Sequence, residues 1–154
     1  MAEQRALVID DNVGLAETVG EILSDRGFVV EVASTGIEAL VAWRRRPAQL
    51  LVVDVDLPDI GGLKLARRLL LRARACRLVV MSARAPEQIL PLCEQLGAVL
   101  LTKPFSPSHL VATVQLVLRS EARRSQPDRR EQRLLGPSKP RPQLQHRRSS
   151  RNRS

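Results

Sequence analysis

An α/β fold built on a doubly wound, five-stranded parallel sheet in three layers is what this sequence predicts, on three observations. Five apolar runs begin at Ala6, Phe28, Leu50, Leu78 and Ala98. Their spacing leaves room for the dozen or so residues that a parallel crossover needs. The runs are near-continuous rather than alternating, as in Leu50-Leu51-Val52-Val53 and Leu78-Val79-Val80-Met81, which suits strands covered by helices on both faces. The segments between them carry helical periodicity.

Each unit follows in order. After the first strand (Ala6-Leu7-Val8-Ile9), Leu15, Val19, Ile22 and Leu23 form one helical stripe, and Gly27 stops that helix. After the second strand, which ends at Ala33-Ser34, Ile37, Leu40 and Val41 begin a second stripe, closed by Arg44-Arg45-Arg46-Pro47. Leu63, Ala66, Leu69 and Leu70 mark the third helix. The fourth, near Glu87 to Leu96, is weaker because Pro91 interrupts it, and Gly97 ends it. The fifth opens with Ser106-Pro107, an N-cap followed by proline at the first helical position, and buries Leu110, Val111, Val114, Val117 and Leu118. Trp43 reads as a partly packed helix residue and His109 as helix surface.

The chain has 154 residues and a formal net charge of +9, unevenly spread. Residues 1–118 hold 13 basic and 13 acidic side chains, whereas 119–154 hold 12 basic and 3 acidic. The second segment also has Pro127, Pro137, Pro140 and Pro142 and few apolar residues. It cannot bury enough surface to offset an ordering cost of roughly 1–2 kcal/mol per residue. The expected organisation is therefore one domain over 4–120 and a basic, Pro/Arg/Ser-rich tail over 121–154 without a fold of its own. The first reading of this tail is a segment without a specific function; its charge also suits an anionic surface, either nucleic acid or membrane, or an acidic protein, but it has no aromatics for base stacking. No apolar run approaches the ~18 residues of a membrane span. The N-terminus, polar from Met1 to Arg5, is not a secretory signal. Cys76 and Cys93 fit no paired metal or redox motif and read as reduced, buried thiols. A cytoplasmic protein is expected.

The chemistry lies at the strand ends. Asp10 and Asp11 follow the first run, Asp54 ends the third, Ser82 the fourth, and Lys103 follows the fifth. In a parallel sheet of this kind, ligands bind outside the carboxyl ends of the strands, so these residues gather. Three carboxylates at one place repel or share a cation, and a hard cation such as Mg²⁺ takes oxygen ligands. One carboxylate can attack phosphorus to form an acyl phosphate. The cation, the lysine and the hydroxyl can then each meet a different phosphoryl oxygen. Taken singly, each residue has an ordinary reading: Asp10-Asp11 as a helix cap, Asp54 as a turn residue, Lys103 as a solvated cation.

Asp10-Asp11, Asp54 with Pro58, Ser82-Ala83 and Lys103-Pro104-Phe105 together resemble the receiver domain of two-component response regulators, over about residues 4–120. The resemblance implies a flavodoxin-like sheet of order 2-1-3-4-5. It implies Asp54 as phosphoacceptor from a histidine kinase phosphohistidine. Asp11, Asp54 and the main-chain carbonyl of Asp56 would be Mg²⁺ ligands, with Asp10 assisting through water. Lys103 would pair with the phosphoryl group, Ser82 would be the switch hydroxyl and the Ala83 amide a further donor, and Lys103–Pro104 would be cis. Partners would be a sensor histidine kinase or phosphotransfer protein and an output protein contacted through the fourth and fifth helices and fifth strand.

Three departures stand out. Leu100 occupies the place where receivers often carry Tyr or Phe, which should add exposed apolar surface there. Gly61-Gly62 should loosen the loop after the acceptor, and Asp56 sets another anion beside the site. Two rivals share the residues: a scaffold receiver without phosphorylation control, and a haloacid-dehalogenase-type phosphatase whose Asp-x-Asp motif resembles Asp54-Val55-Asp56.

Overall fold

The structure, a computed structural model, describes residues 2–71, 73 and 75–119. Strands and helices alternate: β1 (Arg5–Ile9), α1 (Val13–Asp25), β2 (Val29–Ala33), α2 (Gly36–Arg45), β3 (Leu50–Asp54), α3 (Gly62–Leu70), β4 (Arg77–Ser82), α4 (Pro86–Leu96), β5 (Val99–Thr102) and α5 (Pro107–Arg119). The strands form one parallel sheet in the order β2-β1-β3-β4-β5. The basic 121–154 segment lies outside the described residues.

Strand residues alternate between two cores. Leu7, Ile9, Leu51, Val53, Leu78 and Val80 face one layer, with the buried residues of α2, α3 and α4. Ala6, Val8, Leu50, Val52, Val79 and Met81 face the other, under α1 and α5. Burial on both faces explains the continuous apolar runs. Each Leu or Ile fully buried contributes about 1.5–3 kcal/mol. The stripes expected for α1, α3 and α5 hold at Val19, Leu23, Ala66, Leu69, Leu110, Val114 and Val117.

The second stripe holds at Leu40, which packs half-buried against the core, and is corrected at Ile37 and Val41. Ile37 and Val41 are 61% and 53% exposed, and α2 instead buries Gly36, Ala39, Ala42 and Trp43. Small residues make up most of this buried face, and a Cβ on Gly36 would come within 3.1 Å of Ile60 and Asp59 in the loop after β3. Trp43, expected to be partly packed, is buried. The α4 helix runs through Pro91 without a break. Pro91 faces solvent, which can hydrate the carbonyl it leaves unpaired, while Ile89 and Cys93 on either side are buried. The helix ends at Gly97, whose φ of 64° is the left-handed conformation open to glycine. Both cysteines are free and buried.

Candidate functional site

Strand order reverses at β1, which pairs with β2 on one side and β3 on the other. Asp10 and Asp11 leave β1 at this switch point. The Asp10 N–H donates to the Ala33 carbonyl at 3.1 Å, so the end of β2 holds the start of the loop. The Asp10 carboxylate is fully buried and turns back into the sheet edge, accepting from the Asn12 N–H at 2.9 Å. Asn12, not either aspartate, caps α1 by accepting from the Leu15 N–H. The ordinary reading of Asp10-Asp11 as a helix cap is thereby removed.

Asp54 ends β3, nearly buried, with Oδ1 accepting from the Asp56 N–H at 3.2 Å. One carboxylate oxygen from each of Asp10, Asp11 and Asp54 lies within 4.8 Å of the others. Lys103 reaches this cluster from the end of β5. Its Nζ donates to Asp10 Oδ2 at 2.7 Å and Asp54 Oδ2 at 3.2 Å, and its own N–H donates to the Ser82 carbonyl at 2.8 Å. The Lys103–Pro104 bond is cis, as expected.

The charges are unbalanced. Burial pushes the Asp54 carboxyl above its ordinary value; the Asp56 N–H opposes this, and the neighbouring Asp10 carboxylate adds to it. Burial works against the Lys103 ammonium, yet Asp10 and Asp54 overcome it and hold the lysine above its usual value. One ammonium against three carboxylates leaves room for a hard cation with oxygen ligands. The donor set fits such an ion.

The remaining predicted residues frame the cluster. Ser82, fully buried at the end of β4, accepts the Arg84 N–H at its Oγ at 3.0 Å. Ala83 is exposed beside it. Asp56 is exposed, and its carboxylate takes a forked contact from Arg84: Nε to Oδ2 at 3.1 Å, with Nη2 against Oδ1. Sequence reasoning missed Arg84, because nothing along the chain links positions 28 residues apart.

It also missed Asp59. This carboxylate accepts the Gly36 N–H at 2.8 Å and the Ile37 N–H at 2.9 Å, capping α2 from the loop after β3. The Gly36 N–H foremost, with the Ile37 and Ile60 N–H groups, holds its carboxyl below the usual value. The loop that carries Gly61-Gly62 is thus tied to the start of α2 by hydrogen bonds. A Cβ on Gly62 would stand 1.8 Å from the Asp54 carbonyl oxygen, and the Gly62 N–H donates to the Val55 carbonyl at 2.9 Å. Glycine there permits close approach of two backbones. Leu100, expected to add exposed surface, is half-buried and packs against the α2–α4 side core.

Comparison with known proteins agrees with this geometry. The family model described as "response regulator receiver domain" matches residues 6–115. The transcriptional regulatory protein CreB of Escherichia coli (strain K12) is 34% identical over 128 residues, covering 82% of this chain and 56% of that protein. The chain spans about half the length of the curated relatives it matches. A CheY-like receiver domain protein from Methanospirillum hungatei superposes with a TM-score of 0.72 at 22% identity, over 80% of this chain and 99% of that one, a likeness of fold. A response regulator protein from Burkholderia pseudomallei, with a phosphorylated aspartic acid, calcium ion and citrate, gives a TM-score of 0.67 at 27% identity, over 81% and 76%.

Proposed function

The chain belongs to the response regulator receiver family, and from that premise we propose that it is a signalling receiver phosphorylated on Asp54 by the phosphohistidine of a sensor kinase or phosphotransfer protein. The observation that carries this reading is the salt-bridged pair of strand-end carboxylates: Lys103 Nζ at 2.7 Å from Asp10 and 3.2 Å from Asp54, with Asp11 completing an oxygen cluster. The phosphoaspartate in the Burkholderia relative adds support.

In the reaction, a carboxylate oxygen of Asp54 bonds to phosphorus as the phosphorus–nitrogen bond to the donor histidine breaks. The departing imidazole nitrogen keeps the electron pair of that bond. Asp54 enters the reaction ionised, so the burial that raises its pKa also removes water competing for the nucleophile. Lys103 then has a phosphoryl oxygen to pair with in place of the Asp54 oxygen it holds at rest. The Ser82 hydroxyl and the Ala83 N–H supply further donors at the end of β4. Asp10, Asp11, Asp54 and the Asp56 carbonyl would hold Mg²⁺, which when bound supplies the positive charge that phosphoryl transfer requires.

The reading extends to a protein that acts in the cytoplasm and signals by contact with an output protein. Among the described residues, no helix is long and apolar enough to cross a membrane. With Mg²⁺ and acetyl phosphate, the chain should gain one acid-stable, base-labile phosphoryl group, and Asp54→Ala should abolish it. Equal labelling of that variant would overturn the assignment, and sustained turnover of p-nitrophenyl phosphate would point instead to a phosphatase.

A further inference from the structure

The chain contains no Tyr, one Trp and two Phe. Phe28 and Trp43 are buried in the core, and Phe105 packs half-buried against the α1–α5 side. None stands at the position of Leu100 to move when the site changes charge. A different side chain does stand between the site and a helix. Arg84 lies in the short 83–85 connection, two residues before α4 begins.

Two anchors hold Arg84, and each ends on a group next to the reacting carboxylate. Its N–H is bound by the Ser82 hydroxyl oxygen at 3.0 Å. Its guanidinium grips the Asp56 carboxylate, and the N–H of Asp56 is itself bound to Asp54 Oδ1. Hydrogen bonds thus run from Asp54 to Asp56, from Asp56 to Arg84 and from Arg84 to Ser82. The guanidinium already feels the charge of Asp54, although its Asp56 partner does most to hold it above its usual pKa.

The Arg84–Asp56 pair is easily exchanged. Its side chains are 53% and 51% exposed, and ion pairs so placed are screened by solvent and contribute little to stability. A phosphoryl group offers the same planar fork more charge and more acceptor oxygens. The element beyond is equally free to respond. The α4 helix has no side-chain cap at its N-terminus, only two buried residues, Ile89 and Cys93, and a proline inside it. It carries Leu90 and Leu92, 44% and 41% exposed.

We propose that Arg84 is the reporter of phosphorylation: when Asp54 carries a phosphoryl group, the guanidinium leaves Asp56 for the phosphoryl oxygens and draws the 83–85 connection and the first turn of α4 with it. At rest Asp56 holds the arginine in the off position. The signal leaves through α4, which bears the exposed Leu90 and Leu92, without an aromatic rotor. This inference rests on Asp54 as the phosphoacceptor.

The test uses the full chain, isotope-labelled, with Mg²⁺ and saturating beryllofluoride or acetyl phosphate. Uptake is read by fluorine resonance or intact mass, and α4 by the amide shifts of Gln88, Ile89, Leu90, Leu92 and Cys93. Wild type should take up the group and shift its α4 amides. Arg84→Ala should take it up with α4 shifts reduced to about a third or less, and Arg84→Lys should retain an intermediate response, because a point charge replaces the fork. Asp56→Asn should move α4 amides toward the phosphorylated positions before any donor is added. Full uptake by Arg84→Ala with undiminished α4 shifts overturns the reporter role alone. A wild-type chain that takes up neither group overturns the reading of Asp54 and this inference with it.

Discussion

At the scale of single residues, Asp54 and Lys103 set the behaviour of the site. The folded-state pKa of Asp54 is raised, by burial first and by Asp10 beside it. The native state therefore takes up this proton at a higher pH than the unfolded chain does. Ionised Asp54 costs stability at neutral pH, and acidification through the raised pKa returns it. Asp54→Asn should accordingly raise the urea midpoint at pH 7, and the gain over wild type should shrink on acidification through that pKa; a lower midpoint would contradict the account. Lys103→Met leaves the fully buried Asp10 carboxylate without its 2.7 Å partner. Breaking such a pair should cost about 3 kcal/mol, readable by chemical denaturation, and a near-neutral change would argue against the coupling. These residues were legible because each falls at the end of an apolar run, and strand ends converge by topology alone. Arg84 and Asp59 were not, because their partners Asp56 and Gly36 are near only after folding.

At the scale of elements, the β3–α3 loop links chemistry to packing. Its two glycines look alike in sequence and differ in space. At Gly62 a Cβ would meet the Asp54 carbonyl oxygen at 1.8 Å, whereas at Gly61 it would meet nothing within 4 Å. Gly62→Ala should destabilise by on the order of 3 kcal/mol, since the clash is with backbone that cannot rotate away, and should displace Asp54 enough to slow its phosphorylation. Gly61→Ala should stay within about 0.5 kcal/mol of wild type, as the lost chain entropy of glycine offsets a poorer cap. Equal effects at the two positions, measured by urea unfolding, would contradict this placement. The strands were legible because both faces are buried and the apolar runs are unbroken. The face of α2 was not: a reading by large apolar residues chose Ile37 and Val41, while the buried face is made by Gly36, Ala39, Ala42 and Trp43. Small residues carry little apolar signal. Asp59 then fixes that helix from 22 and 23 residues away, tying it to the loop after the acceptor.

At the scale of the whole molecule, the charge neutrality of residues 1–118 contrasts with the 12 basic and 3 acidic residues that follow. The full chain should bind duplex DNA weakly and with steep salt dependence, through counterion release, and a 1–120 fragment should lose most of that binding. Identical salt titrations for the two would remove nucleic acid from consideration. The sheet, by contrast, concentrates its function at one edge, where the order reversal at β1 collects groups from four strand ends into a single acidic, lysine-bearing site. The central claim is that Asp54 is the nucleophile there. It is tested most directly by phosphorylating the full chain with acetyl phosphate and Mg²⁺, reducing with borohydride and mapping the peptides by mass. Reduction turns an aspartyl phosphate into homoserine, so the account predicts homoserine at position 54; homoserine at Asp10, Asp11 or Asp56, or none at all in a chain that carries phosphate, would contradict it.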